Sequence, residues 1–181
     1  MSRLVEFYRG QTTDSRGRTL ADLWALDDDR MESVHDFIQW MFPLREPSRY
    51  NPDAPLLTDE DVRSFRDDPA LRQALGRSFG RFLAFLGLEY SPGGGVVEAG
   101  DFGLKKAVFL RSNHNWLRIT RVLACTRTLG LVDESRGLFE YLRDRRDRGI
   151  FPIDAATFRY WEAAGGCAPG GGEAGIGRPR A

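Results

Sequence analysis

The sequence is poor in the side chains from which reactive centres are most often built. Among 181 residues there are two histidines, His35 and His114, two cysteines, Cys125 and Cys167, and three methionines. Cys125 falls in a helical pattern and Cys167 in a glycine-rich segment, so neither a disulfide framework nor a zinc-type CxxC pair is available. No apolar run reaches the length of a membrane-spanning helix, and the N-terminal "MSRLVEFYRGQTTDSRGR" lacks the apolar stretch of a signal peptide. We therefore expect a soluble, cytoplasmic protein. Charge of either sign is also missing in the sum: formal net charge is zero and the pI is near 6.7. That balance argues against broad electrostatic attraction to nucleic acid or to anionic membranes.

Lysine is nearly absent. Only Lys105 and Lys106 occur, so the other 24 of the 26 cationic residues are arginines. One explanation is the coding bias of a GC-rich, bacterial genome. The other is recognition of anions, because a guanidinium binds carboxylate or phosphate through a two-pronged fork.

Apolar spacing is helical almost throughout, and no segment alternates convincingly like a strand. The pattern predicts an all-α, single globular domain of about six to eight helices with a long, packed, proline-rich loop. Residues 1–18 form an N-terminal arm, 19–164 the helical domain, and 165–181 a disordered Gly/Pro-rich tail. Thr19, Thr58, Asp68, Asn113, Asp133 and Asp154 read as helix N-caps, and Pro69 as a first helical residue. Residues 20–42 read as one amphipathic helix, or two if "DDD" at 27–29 interrupts it. Pro43 ends that helix, and "PLREPSRYNPDAPLL" at 43–57 holds four prolines. "YSPGGGVVEAGD" reads as a flexible surface loop.

Three places gather costly polar residues. His35 lies beside an apolar face, with Gln39 four residues on. Arg45 and Glu46 sit between Pro43 and Pro47, as a structural ion pair or as an anion clamp. In "RSNHNWLRITR", His114, Arg118 and Arg121 fall on one helical face at the start of a helix. Free backbone N–H groups there favour an anion.

Together "IQWMFPLREPSRYNPDAPLLT" and "NHNWLRITRVL" resemble the conserved region of the opioid growth factor receptor family, in the family's order and over about residues 20 to 163. The positions that carry the resemblance are His35, Gln39, Trp40, Phe42, Pro43, Leu44, Arg45, Glu46 and Pro47, then His114, Asn115, Leu117, Arg118, Ile119, Thr120 and Arg121. The resemblance implies that the two motifs belong together in a helical domain. Animal members are named for binding an enkephalin-type peptide and for growth regulation at the nucleus; a short, standalone relative is expected to be microbial.

The first functional reading is a binding pocket for an anionic small molecule or a peptide carboxylate. Arg45, Arg118 and Arg121 would supply charge, paired with Glu46 at the loop. Gln39 and Asn115 would add hydrogen bonds, and Trp40 and Trp116 would form walls. The second is an enzyme using His35 and His114 as acid and base, with arginine stabilising developing negative charge; metal ligation by the two histidines is a weaker variant, and no cofactor is implied. The third is nucleic-acid binding by a stripe of Arg111, Arg118, Arg121 and Arg127, which the neutral charge disfavours.

Overall fold

The computed structural model describes residues 2–48, 51–91 and 94–166. Among them are ten α-helices. These are α1 (Arg3–Tyr8), α2 (Leu20–Trp24), α3 (Asp28–Ser33), α4 (Ile38–Met41), α5 (Asp59–Asp67), α6 (Pro69–Phe85), α7 (Phe102–Lys105), α8 (His114–Thr128), α9 (Val132–Asp147) and α10 (Ala155–Gly165). A 3-10 turn covers Lys106–Phe109, and strands β1 (Leu88–Tyr90) and β2 (Val96–Glu98) form one antiparallel hairpin. The fold is mainly helical, as the periodicity predicts. No helix among the described residues is long and apolar enough to cross a membrane. The tail expected from residue 165 lies, from 167 on, outside the described residues.

Local chemistry sets most helix starts. Thr19 and Asp22, and Thr58 and Asp61, form reciprocal capping boxes, each side chain satisfying a backbone N–H that the helix leaves open. Asp68, Asn113 and Asp154 accept from first-turn N–H groups, with Pro69 opening α6. Asp133 departs from its expected role. The cap lies two residues earlier, at Leu131 with no side-chain bond, and Asp133 occupies the first turn, where its charge still favours the positive helix end.

Two further expectations are corrected. Residues 20–42 are neither one helix nor two but three short ones. Val34 is extended, at φ −94° and ψ 129°, and His35 sits outside any helix, so the helical pairing of His35 with Gln39 does not exist. The apolar spacing continued across the break because Phe37 and Ile38 are buried on either reading. The segment 90–101, expected to be a flexible loop, holds β2 and the last residue of β1. Val96 and Val97 suit a strand, and Gly94 and Gly95 take φ of +87° and +92°, which only glycine adopts freely. Gly95 also lies against Gly137 of α9, where an added Cβ would come within 3.2 Å of its Cα.

α8 is the hub. It packs on α9, α10 and α6, and its Trp116 meets Trp161 of α10 at 5.8 Å between rings. α1 docks on α5 and α6, burying Leu4, Val5, Phe7 and Tyr8. The Tyr8 hydroxyl donates to the Met41 carbonyl. The break at 34–37 is held from outside: Arg18 bridges Asp14 and Asp36 at 2.7 Å each, and Asn51 donates to the Asp36 carbonyl at 2.8 Å.

Much of the arginine content has a structural use that composition did not suggest. The last carbonyls of a helix lack partners, and a cation there also meets the negative helix end. Arg118 donates to the Met31 carbonyl of α3 at 2.7 Å and Arg121 to the Phe42 carbonyl that closes α4 at 3.1 Å. Arg66 reaches the Thr128 carbonyl of α8 at 3.1 Å, and Arg127 the Gly166 carbonyl after α10 at 2.8 Å. These arginines tie helix ends to distant elements.

Candidate functional site

A cavity of about 430 Å³ opens between the 35–48 segment and the first turns of α8. Its volume falls within the usual range for small-molecule sites. His35, Ile38, Gln39, Leu44 and Ser48 line one side; His114, Leu117, Arg118, Thr120 and Arg121 line the other. The helix spacing of 114, 117, 118 and 121 turns these four side chains to one face.

Arg118 is the centre of the polar wall and is 5% exposed. One guanidinium nitrogen donates to the Met31 carbonyl at 2.7 Å and to Asn115 Oδ1 at 3.0 Å. The other donates to the Val34 carbonyl at 2.9 Å and to His35 Nδ1 at 3.0 Å. Four of its five N–H donors are therefore committed to the fold. A guanidinium cannot accept, so Nδ1 of His35 is unprotonated and the ring's proton sits on Nε2. Burial pushes the Arg118 pKa down to about 10, opposed by the charge of Glu32. Burial lowers the pKa of Arg121 as well, opposed by Cys125 and Glu46. Among the described residues neither guanidinium has a carboxylate within ion-pair distance.

His35 and His114 meet edge to face, with ring centres 5.0 Å apart. Glu32 lies behind them. Its Oε1 is 3.3 Å from His114 Nε2, and its Oε2 accepts from Asn115 Nδ2 at 2.9 Å. Burial first, then the charge of Arg118 and the neighbouring His35, lower the His114 pKa against the pull of Glu32. Gln39 braces the broken segment: its amide nitrogen donates to the His35 and Asp36 carbonyls at 3.2 and 3.3 Å, and its oxygen accepts from Ser48 Oγ at 3.2 Å.

The structure brings together five of the residues singled out in the sequence: His35, Gln39, His114, Arg118 and Arg121 all line the cavity. Asn115 stands one layer behind, between Glu32 and Arg118. Trp40 and Trp116 are not walls of the cavity; Trp40 is fully buried against Phe7 at 5.0 Å, and Trp116 donates to the Val108 carbonyl at 2.8 Å. Arg45 and Glu46 are exposed, and Arg45 pairs with Asp59 at 2.5 Å rather than with Glu46. The free N–H groups expected at the start of α8 are partly consumed, since Asn113 Oδ1 accepts from the Asn115 N–H at 2.9 Å. Glu32 and Ser48 escaped the sequence reading, and Leu44, Leu117 and Thr120 entered it only as positions of the family resemblance. The i, i+3 steps from His114 to Leu117 and from Leu117 to Thr120 could have shown the last two; Glu32, 83 positions from Asn115, carries no local signal.

The arginine stripe does not form, because Arg118, Arg121 and Arg127 all turn to backbone carbonyls. Among the described residues no three His, Cys, Asp or Glu side chains are arranged to hold a metal ion.

Comparison with known proteins agrees with the motifs. The opioid growth factor receptor (OGFr) conserved region matches residues 5–144. Over 133 residues, 70% of this chain, the sequence is 35% identical to the opioid growth factor receptor of Rattus norvegicus and 38% identical to that of Mus musculus. It is 32% identical over 120 residues, 66% of this chain, to opioid growth factor receptor-like protein 1 of Mus musculus. The aligned parts cover 23%, 21% and 26% of those proteins, so this chain spans about a quarter of their length or less. These relatives are rodent proteins and lend no support to the microbial origin expected from arginine usage. None of their names describes a catalysed reaction, so the acid–base reading of the histidine pair gains nothing from them. No solved structure matches the chain.

Proposed function

The chain belongs to the family of the opioid growth factor receptor conserved region, and from that premise we propose that it is a ligand-binding domain whose cavity takes an anionic small molecule or a peptide carboxylate. The receptor names of its relatives favour binding over catalysis. One observation carries the ligand's charge. Two guanidinium groups, Arg118 buried and Arg121 half-buried, face one cavity with no carboxylate in contact among the described residues. A buried charge is costly unless paired. An incoming anion supplies the missing partner and gains a charge-assisted hydrogen bond.

Arg121 is the residue that reads the anion. It spends one donor on Phe42, whereas Arg118 has one of its five left. His114, whose pKa burial lowers, gains a proton more readily once an anion sits beside it. The test is a thermal-shift screen of carboxylates and phosphates against the protein and against Arg121→Gln. A stabilising anion whose effect disappears in the variant is the expected result. A screen in which no anion raises the melting temperature refutes the proposal.

A further inference from the structure

The cavity described above holds more information than its charge. Its two guanidinium groups do not stand alone. Glu32 lies beside them, with Oε1 3.3 Å from His114 Nε2 and Oε2 accepting from the Asn115 that also holds Arg118. A second negative charge on a ligand would approach this carboxylate, and like charges brought close together repel.

Both sides of the cavity carry aliphatic side chains among the polar ones. Ile38 and Leu44 line the side made by the loop segment, and Leu117 lines the α8 side. Leu117 is 61% exposed although it lies on the domain's hub helix, between buried Trp116 and buried Arg118. An exposed leucine at the lip of a cavity offers area to a ligand that an inorganic ion cannot use. With four of five Arg118 donors already spent, the ligand's charge falls to Arg121, whose fork matches the two oxygens of one carboxylate.

Resting on the proposed anion-binding reading, we infer that the ligand is a singly charged carboxylate with an apolar body. Its carboxylate pairs with Arg121, and its hydrocarbon lies along Ile38, Leu44 and Leu117.

Calorimetric titration of the full chain at pH 7.5 tests this with acetate, hexanoate, octanoate, octanol, octyl phosphate and inorganic phosphate. Affinity is expected to climb from acetate to octanoate, by about fourfold for each methylene laid on the wall. Octyl phosphate, with close to two charges at this pH, is expected to bind at least tenfold more weakly than octanoate. Arg121→Gln abolishes octanoate binding, and Leu117→Asn weakens octanoate severalfold while leaving acetate unchanged. Leu117→Asn is expected to fold, because the side chain is largely in solvent. Octyl phosphate binding as tightly as octanoate overturns the singly charged assignment and leaves the anion reading standing. Acetate equal to octanoate overturns the apolar body alone. Octanol equal to octanoate, octanoate binding that survives Arg121→Gln, or no binding by any probe overturns both.

Discussion

Replacing Arg118 by methionine removes the guanidinium but keeps an unbranched apolar stem, and the structure sets the size of the effect. Two of its acceptors, the Met31 carbonyl and Asn115 Oδ1, are buried; the Val34 carbonyl and His35 Nδ1 are partly so. Losing a charged donor from a buried acceptor costs roughly 1.5–3 kcal/mol each, and about 0.5–1 kcal/mol where cavity water takes its place. Against this stands relief from burying a cation. The fall of the Arg118 pKa to about 10 corresponds to roughly 3 kcal/mol of disfavoured charge. The lost bonds win, and the net destabilisation is about 3 kcal/mol. For a domain of this size that is a drop in melting temperature of roughly 6–12 °C. Urea denaturation and thermal melts of the two proteins read it directly. A loss below about 0.5 kcal/mol, the scale of an ordinary surface change, refutes the idea that Arg118 holds the end of α3 to α8. The same reasoning makes Arg118→Ala a test of folding and Arg121→Gln the test of binding.

Two further outcomes follow from the geometry. The folded-state pKa of His114 lies below the ordinary histidine value of 6.5, so between those two values the unfolded chain holds more protons, and stability falls as the pH drops through that window. His114→Gln flattens that part of the stability–pH curve measured by urea titration; an unchanged slope removes His114 as its source. Gly87 has φ +75°, and a Cβ there would lie 2.9 Å from the Phe102 Cα. Gly87→Ala therefore costs more than the ~1 kcal/mol of a strained turn alone, whereas Gly149→Ala, at φ +69° with open space around it, costs no more than that. Equal melting temperatures for the two variants refute the close approach of α7 to the end of α6.

What the sequence disclosed depended on how far each cause reaches along the chain. Caps at Thr19, Thr58, Asp68, Asn113 and Asp154 were readable because an N-cap bonds a donor two or three positions on. The hairpin was hidden because its two valines sit behind a run of glycines that also describes a loop. The break at Val34 was hidden because its partner, the Arg118 guanidinium, is 84 positions away. Trp40 and Gln39 are neighbours in one four-residue helix, yet one fills the core and the other lines the cavity. Only the packing of α1 through Phe7 decides which. The pairing of the two motifs entered through family resemblance; no periodicity contains it.

The bonds that join α8 to the 31–42 segment span 79 to 87 positions. Their order of synthesis has a consequence. The segment with Met31, Val34 and Phe42 leaves the ribosome with its carbonyls unpartnered and waits some 80 residues for the guanidinium groups that complete it. Helices of four to six residues do not persist alone in water. The cavity is therefore completed only once α8 has been made, after α5, α6 and the hairpin.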